Sequence, residues 1–336
     1  MTATGDVLIV AEQVRGKLIA PVFELMTLGR TLLAHTGGRL HVAILGADLP
    51  ESARELVARG ADRVYVADDP ALAEYEPESW LPVLQKIMQP APPAAILVAH
   101  TNVGTDLAPR LAFRLGAAVT TGCVDVAYDD NRLRATRTCY GGNAHEVVNF
   151  RTASVVATVR AGIFEPAATA SGRDGEMTTA TVDFAALARR TTVVTRERNA
   201  SDTIRLEDAN AVIAGGRGLA GPEGFELLEQ LARELNGAVG ASRVPCDIGW
   251  CPHSMQIGLT GKTVAPALYV AVGISGAGQH MAGCARARTI VAINTDPDAA
   301  IYKDAHLGIV ADYRQVIPVL IEAIRQIRSA AAPSKP

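Results

Sequence analysis

The sequence predicts an α/β protein of two domains, each a mainly parallel sheet with flanking helices. Short β-branched segments alternate with helical patterns through the first half, and a second series of the same kind starts near residue 211. Between the two series lies a charged, polar stretch without apolar periodicity, which is typical of a linker. We therefore predict a first domain at residues 1–190, a linker at 191–208 and a second domain at 209–331.

The first domain is predicted to open with βα units that form a parallel sheet. Its strands are expected at residues 6–12, 40–45, 63–66 and 95–99, and its helices at 22–35, 51–58 and 103–115. After residue 119 the apolar residues alternate with period two, which predicts strands at 119–127, 132–140 and 154–160. We expect these last three strands to form an antiparallel extension of the first domain.

The second domain repeats the βα alternation and ends in a long amphipathic helix. Its strands are expected at residues 211–214, 268–272, 289–293 and 307–311, and its helices at 222–236, 279–284 and 313–331. Strand and helix in this order predict a Rossmann-like sheet.

Composition excludes several classes of function. The chain has 336 residues, of which 49% are hydrophobic, and its net charge is −3 with both signs interspersed. It therefore has no basic stripe for nucleic acid, and its apolar stretches fall short of the about 20 residues that span a bilayer. Five cysteines form no CxxC pair and no zinc spacing, and their odd number argues against a disulfide framework. We expect a protein that is not inserted in the membrane and that lies in a reduced, cytoplasmic compartment.

A glycine-rich loop follows the first strand of the second domain. Gly216, Gly218 and Gly221 match GxGxxG between a strand and a helix, where backbone N–H groups can bind phosphate. A dinucleotide site of the usual kind has an acid at the tip of the next strand, but this chain has Ser242 and Arg243 there. The loop is therefore either a phosphate site, with NAD disfavoured, or a tight turn.

A second glycine loop spans residues 273–280 and follows the strand at 268–272. It lacks the Lys-Ser/Thr ending of a P-loop, so nucleoside triphosphate hydrolysis is not expected. Two such loops on neighbouring strands suit a ligand with a pyrophosphate and a long extended body. The alternative is that both loops are only turns that connect a strand to the following helix.

Several longer runs of sequence match one family. Residues 256–280, which begin QIGLTGK, together with 289–301 and 307–312, resemble the signature block of electron-transfer flavoprotein alpha subunits. The first domain agrees more weakly at residues 104–110, 140–144 and 157–160. The resemblance covers nearly the whole chain.

The resemblance implies an electron carrier whose second domain binds FAD and whose first domain packs on a beta subunit. It further implies a donor dehydrogenase, of the acyl-CoA dehydrogenase type used in fatty acid oxidation, and an acceptor oxidoreductase such as a membrane quinone reductase. It places Arg217, Ser242 and Ser275 at the FAD pyrophosphate, next to Gly276, and Asn294 and Asp312 at the adenosine end. Around the flavin and its ribityl chain it places Arg243, Gln256, Thr260, Gln279 and His280.

The chemistry of these side chains is compatible with the implied roles. A flavin gathers negative charge on reduction, so the Arg243 guanidinium and the His280 imidazole are expected to favour the reduced form by Coulomb attraction. The Thr260 hydroxyl is expected to bond the flavin ring. The plainer alternatives are a surface salt bridge for Arg243, a core or capping histidine at 280, and turn formers at Asn294 and Asp312.

The chain departs from the family pattern at three places. Leu259 replaces a glutamine that contacts the flavin, Gly278 replaces a branched aliphatic residue, and residues 284–288 replace an acidic stretch. These changes put the usual hydrogen bonding at the flavin and the docking of partners in doubt.

Two other functions remain open at this stage. One is an NAD(P)-dependent oxidoreductase, in which Arg243 would bind a 2′-phosphate. The other is a nucleotide-binding module without redox function, in which Leu259 marks a decayed flavin site. Bound oxidised flavin is yellow, so the absorption spectrum distinguishes both alternatives from an electron carrier.

Overall fold

A computed structural model describes residues 4–89, 91–129, 132–140, 144–170, 174–181, 191, 204, 206 and 209–331. The chain divides into two compact units, residues 1–197 and 198–336. The predicted linker at 191–208 lies mostly outside the described residues, so its bounds stay a prediction.

Strands and helices alternate through the first unit, as expected for α/β architecture. In chain order they are β1 (Thr4–Ala11), β2 (Gln13–Val14), β3 (Lys17–Leu18), α1 (Ala20–Thr36), β4 (Leu40–Gly46), α2 (Pro50–Ala58), β5 (Arg63–Asp68), α3 (Pro77–Ile87), β6 (Pro93–Ala99), α4 (Asn102–Leu115), β7 (Ala118–Asp129), β8 (Arg132–Cys139), β9 (Ala144–Asn149), β10 (Val155–Val159) and β11 (Glu176–Thr179). The described strands of the main sheet run in the order β11-β5-β4-β1-β6-β10-β7-β8-β9.

The sheet of the first unit is covered by helices on both faces. Val7 and Ile9 of β1 belong to one core cluster with residues of α1, and Leu8 and Val10 belong to the other with residues of α3 and α4. A strand buried on both faces needs apolar side chains at every position, which explains its continuous apolar run. The antiparallel extension is confirmed for β7 and β8, and β9, which was not predicted, adds a further antiparallel strand beside β8.

The strand predicted at residues 154–160 does not belong to that extension. It forms β10, which lies between β6 and β7 and is parallel to both. All five of its residues are buried, so the run Val-Val-Ala-Thr-Val is the core of a parallel sheet and not an alternating strand. The helix α3 was missed because Pro77 and Pro82 interrupt its pattern, and the short polar strand β11 carries no apolar signal.

The second unit has a single five-stranded parallel sheet among its described residues. Its elements are β12 (Ala211–Gly215), α5 (Gly224–Glu234), β13 (Ala238–Ala241), α6 (Arg243–Asp247), β14 (Leu268–Val272), α7 (Gly278–Met281), β15 (Thr289–Asn294), β16 (Leu307–Val310) and α8 (Tyr313–Ala331). The strand order is β13-β12-β14-β15-β16. The α/β fold class predicted from the sequence is therefore confirmed.

Strand register brings the carboxyl ends of this sheet to one edge. Gly215, the last residue of β12, pairs with Ala241 on one side and Val272 on the other, and Val272 pairs in turn with Ile293. The loops after four strands therefore start side by side, which is where ligands bind in open parallel sheets. Within the described residues, no helix is both long enough and apolar enough to cross a membrane.

Candidate functional site

A cleft of about 680 Å³ lies at this edge of the second unit. Its size falls within the range of about 300–1,000 Å³ found for ligand sites. Most of the residues predicted from the sequence line it: Arg217, Ser242, Arg243, Gln256, Thr260, Ser275, Gln279, His280 and Asn294.

Gly276 and Asp312 do not line the cleft. Gly276 has a φ of +85°, and a Cβ at this position would lie 2.3 Å from the Ile301 nitrogen. The glycine therefore allows its loop to pack directly against the backbone at Ile301. The Asp312 carboxylate accepts a hydrogen bond of 2.9 Å from the Arg314 amide at the start of α8. The cofactor contacts predicted for these two residues stay predictions.

The two glycine loops are packed directly against each other. The Gly218 amide donates a 3.0 Å hydrogen bond to the Gly273 carbonyl, and a Cβ on Gly216 would lie 2.1 Å from that same oxygen. No larger residue fits this contact without moving the backbone. The glycines thus position the loops that carry Arg217 and Ser275 into the cleft.

Arg217 is the side chain best suited to an anion. It is exposed, lines the cleft, and makes no ion pair or hydrogen bond with any part of the chain that the structure describes. The hydroxyls of Ser242 and Ser275 line the same cleft. Arginine and hydroxyl donors around a glycine turn are the groups that bind phosphate oxygens.

Asn294 holds two of the cleft-lining loops together. Its Nδ2 donates a 3.0 Å hydrogen bond to the Ile274 carbonyl, and its Oδ1 accepts one of 3.1 Å from the Asp296 amide. Asp296 also lines the cleft and was missed as a site residue, because Pro297 indicated a turn. Its position could have indicated a site residue, because an acid just after a strand of such a sheet often binds ribose hydroxyls, and Asp296 follows β15.

Gln256 orients the hydroxyl of Thr260. Gln256 is buried, and its Nε2 donates a 2.9 Å hydrogen bond to Oγ1 of Thr260, which is exposed in the cleft. This bond uses one lone pair of the Thr260 oxygen and fixes its position, and the O–H of Thr260 can still be donated to a ligand. Leu259 lies beside it with 53% of its surface exposed, and its amide bonds the Gln279 carbonyl at 2.7 Å.

His280 lines the cleft as a neutral imidazole. Its Nδ1 lies 3.1 Å from the Ile257 carbonyl, so Nδ1 carries the proton, and Nε2 accepts from the Tyr269 hydroxyl at 2.9 Å. Burial lowers the pKa of His280 to about 4. The Coulomb attraction expected from this imidazole is therefore a wrong prediction near neutral pH, since the ring carries no charge there.

Arg243 begins α6 and pairs with Asp247 one turn later, Nε to Oδ2, at 3.0 Å. Its side chain is 68% exposed. The surface salt bridge considered from the sequence is thus present, although Arg243 also lines the cleft. Any attraction it exerts on a ligand is reduced by the nearby carboxylate and by solvent.

Comparison with known proteins agrees with this geometry. Residues 7–185 match the electron transfer flavoprotein domain, and residues 205–285 match the electron transfer flavoprotein FAD-binding domain. The chain belongs to the electron transfer flavoprotein alpha subunit family. Its second domain is the FAD-binding domain of that family, and alpha subunits of electron transfer flavoproteins pair with a beta subunit. An NAD(P)-dependent oxidoreductase is not favoured.

Individual relatives align over nearly their full length. The chain is 39% identical to an electron transfer flavoprotein subunit alpha of Thermoanaerobacterium thermosaccharolyticum, over 96% of this chain and 98% of the relative. It is 37% identical to the subunit alpha of Bacillus subtilis with the same coverage. It is also 34% identical, over 97% of both chains, to the acryloyl-CoA reductase electron transfer subunit beta of Anaerotignum propionicum.

The residues of the cleft fit FAD. An arginine that pairs with no described residue and two serine hydroxyls suit a pyrophosphate, and Thr260 and Gln279 add polar side chains along the same cleft. Bound there, FAD supplies the redox chemistry, while the chain binds and orients it and sets the charge around it.

Proposed function

We propose that this chain is the FAD-carrying subunit of a heterodimeric electron transfer flavoprotein that accepts electrons from an acyl-CoA dehydrogenase. Its downstream acceptor is an oxidoreductase such as a membrane quinone reductase. The observation that supports the FAD-carrying role most is Arg217, whose side chain lies in a cleft between two glycine loops and has no partner among the described residues. The donor class is supported by the relative that bears the name of an acryloyl-CoA reductase electron transfer subunit.

Each predicted site residue has a role in this proposal. Arg217, Ser242 and Ser275 bind the pyrophosphate, next to Gly276, and Asn294 and Asp312 bind the adenosine end. Thr260, whose oxygen is held by a hydrogen bond from Gln256, donates a hydrogen bond to the flavin ring. Arg243 and Gln279 line the flavin side of the cleft, and His280 contacts the flavin as a neutral ring.

The first domain is proposed to dock on the beta subunit. Phe113, on α4, is 86% exposed, and Val147 of β9 is 56% exposed, so apolar surface is available for a partner. The proposed location is the cytoplasm, since all five cysteines are free thiols. The chain expressed alone should lose FAD or solubility, and co-expression with the beta subunit should restore both.

Anaerobic reduction of the co-expressed heterodimer tests the donor class. An acyl-CoA dehydrogenase with its acyl-CoA substrate should bleach the flavin absorbance, whereas the dehydrogenase without substrate, or NADH alone, should not. Bleaching by NADH alone, or none with acyl-CoA and dehydrogenase, would contradict the proposed donor. A matched variant, Arg217→Ala, should lower FAD affinity at least tenfold.

A further inference from the structure

Two thiols lie close together behind the wall of the cleft. Sγ of Cys246 and Sγ of Cys251 are 3.5 Å apart, and both cysteines are free. Cys246, a residue of α6, is buried in the core, and Cys251 is half-buried in the loop that follows. A disulfide bond is about 2.05 Å long, so the sulfurs need to approach by only about 1.5 Å to be joined.

Local backbone structure creates this proximity. After α6 the Gly249 amide bonds the Cys246 carbonyl at 3.1 Å, with Gly249 at a φ of +77°, and the Trp250 amide bonds the Pro245 carbonyl at 2.9 Å. These bonds reverse the chain and return Cys251 to the side of Cys246. Four residues separate the two cysteines along the chain, so the pair does not match the CxxC spacing of redox and metal sites.

We propose that Cys246 and Cys251 are a dithiol site that exchanges with low-molecular-weight disulfides to form an intramolecular disulfide. Cys251 is the more accessible thiol, so its thiolate attacks the small disulfide first, forming a mixed disulfide and releasing one small thiolate. Sγ of Cys246 then attacks Sγ of Cys251 and displaces the second small thiolate. The protein loses two protons and two electrons, and the small disulfide gains them as two thiols.

The surroundings of the pair make this exchange slow. Burial raises the pKa of Cys251 to about 12 and also raises the pKa of Cys246. Because the thiolate is the attacking species, little of either cysteine reacts at neutral pH. The site therefore stays reduced in a reducing compartment and is oxidised only when small disulfides persist.

Oxidation is transmitted to the cleft through α6. Ser242 and Arg243, at the start of α6, line the cleft, and so does Gln256, a few residues after Cys251. Sγ of Cys246 also lies 3.6 Å from the Ser242 carbonyl. A disulfide thus ties together two lining segments, and we expect it to slow FAD release at least twofold, a consequence that rests on the proposed function.

Peptide mass spectrometry tests the site without reference to FAD. Trypsin releases residues 244–262 as one peptide that holds both cysteines and no other cysteine. The reduced heterodimer is incubated with oxidised glutathione and then alkylated. The expected peptide has lost two hydrogens and carries no alkyl group. A wild-type peptide that keeps two alkylated thiols, or carries glutathione on both, overturns the proposal.

Single substitutions identify the order of attack. Cys246→Ser should accumulate a stable glutathione adduct on Cys251, whereas Cys251→Ser should leave Cys246 unmodified. An adduct on Cys246 in Cys251→Ser would contradict the proposed order.

FAD release is then compared between the oxidised wild type and the double serine variant treated in the same way. Equal release rates, with the disulfide proven in the wild type, would overturn the coupling to the cleft. A chain that forms the disulfide but binds no flavin would contradict the proposed function and not the dithiol site.

Discussion

The Tyr269 hydroxyl donates a 2.9 Å hydrogen bond to Nε2 of His280, while Nδ1 of the same ring donates to the Ile257 carbonyl at 3.1 Å. Tyr269 is fully buried and His280 is 7% exposed. In the neutral ring Nδ1 donates and Nε2 accepts, and burial lowers the pKa of His280 to about 4, so this is the form present near neutral pH. His280 therefore adds no positive charge to the cleft near neutral pH.

His280 should make the protein less stable as the pH falls. Its pKa is about 4 in the folded state, against 6.5 as the ordinary value, so the unfolded chain binds more protons between these limits. The free energy of unfolding should therefore fall by about 2–3 kcal/mol between pH 7 and pH 4.5 through this residue alone. Urea unfolding of the heterodimer at both pH values measures the loss. His280→Gln should lose correspondingly less, and an equal loss in that variant would show that another group is responsible.

Leu259→Gln should raise the potential of the first one-electron reduction of the flavin. The side chain is 53% exposed in the cleft, and an amide there can donate a hydrogen bond to the ring as charge accumulates. One hydrogen bond of about 0.5–1.5 kcal/mol corresponds to roughly 20–60 mV for one electron. Spectroelectrochemical titration measures the shift. Leu259→Met, which adds no donor, is the control, and an unchanged potential in Leu259→Gln would mean that position 259 does not face the ring.

Gly278→Ala should stabilise the second domain. A Cβ at Gly278 meets nothing within 4 Å, so an alanine fits there. Removing the glycine freedom of the unfolded chain should add about 0.4–1 kcal/mol to the free energy of unfolding. The matched control is Gly276→Ala, which should cost about 1–3 kcal/mol because its φ is +85° and the Cβ would lie 2.3 Å from the Ile301 nitrogen. Urea midpoints that move in the same direction for both would refute this interpretation.

Arg243→Ala should lower the flavin potential, but less than an isolated cation would. A charge about 4 Å away contributes about 4 kcal/mol at an effective dielectric of 20 and about 1 kcal/mol in water. Since Arg243 is exposed and paired with Asp247 at 3.0 Å, the lower value applies, which is about 40 mV for one electron. Asp247→Asn should shift the potential upward. The same titration measures both variants, and equal potentials in all three proteins would exclude a role for Arg243.

The sequence was sufficient to predict those features that a local pattern of residues determines. The βα alternation gave the fold class, and the glycine loops with the QIGLTGK run located the cleft. It was insufficient where contacts distant along the chain decide. Nothing local shows that Val155–Val159 enters between two parallel strands, or that the Tyr269 hydroxyl bonds the His280 ring. The pair Cys246 and Cys251 depends on a reversal after α6 that no spacing rule describes.

Counting the flavin in the purified heterodimer tests the central claim most directly. The cofactor released from wild type, and from Arg217→Glu as the matched variant, is identified by chromatography and quantified against the concentration of this chain. The structure predicts one FAD bound in this chain's cleft, and Arg217→Glu should lose that flavin while the heterodimer stays assembled. A wild-type heterodimer without FAD, or an Arg217→Glu heterodimer that keeps all of it, would contradict the assignment of the cleft.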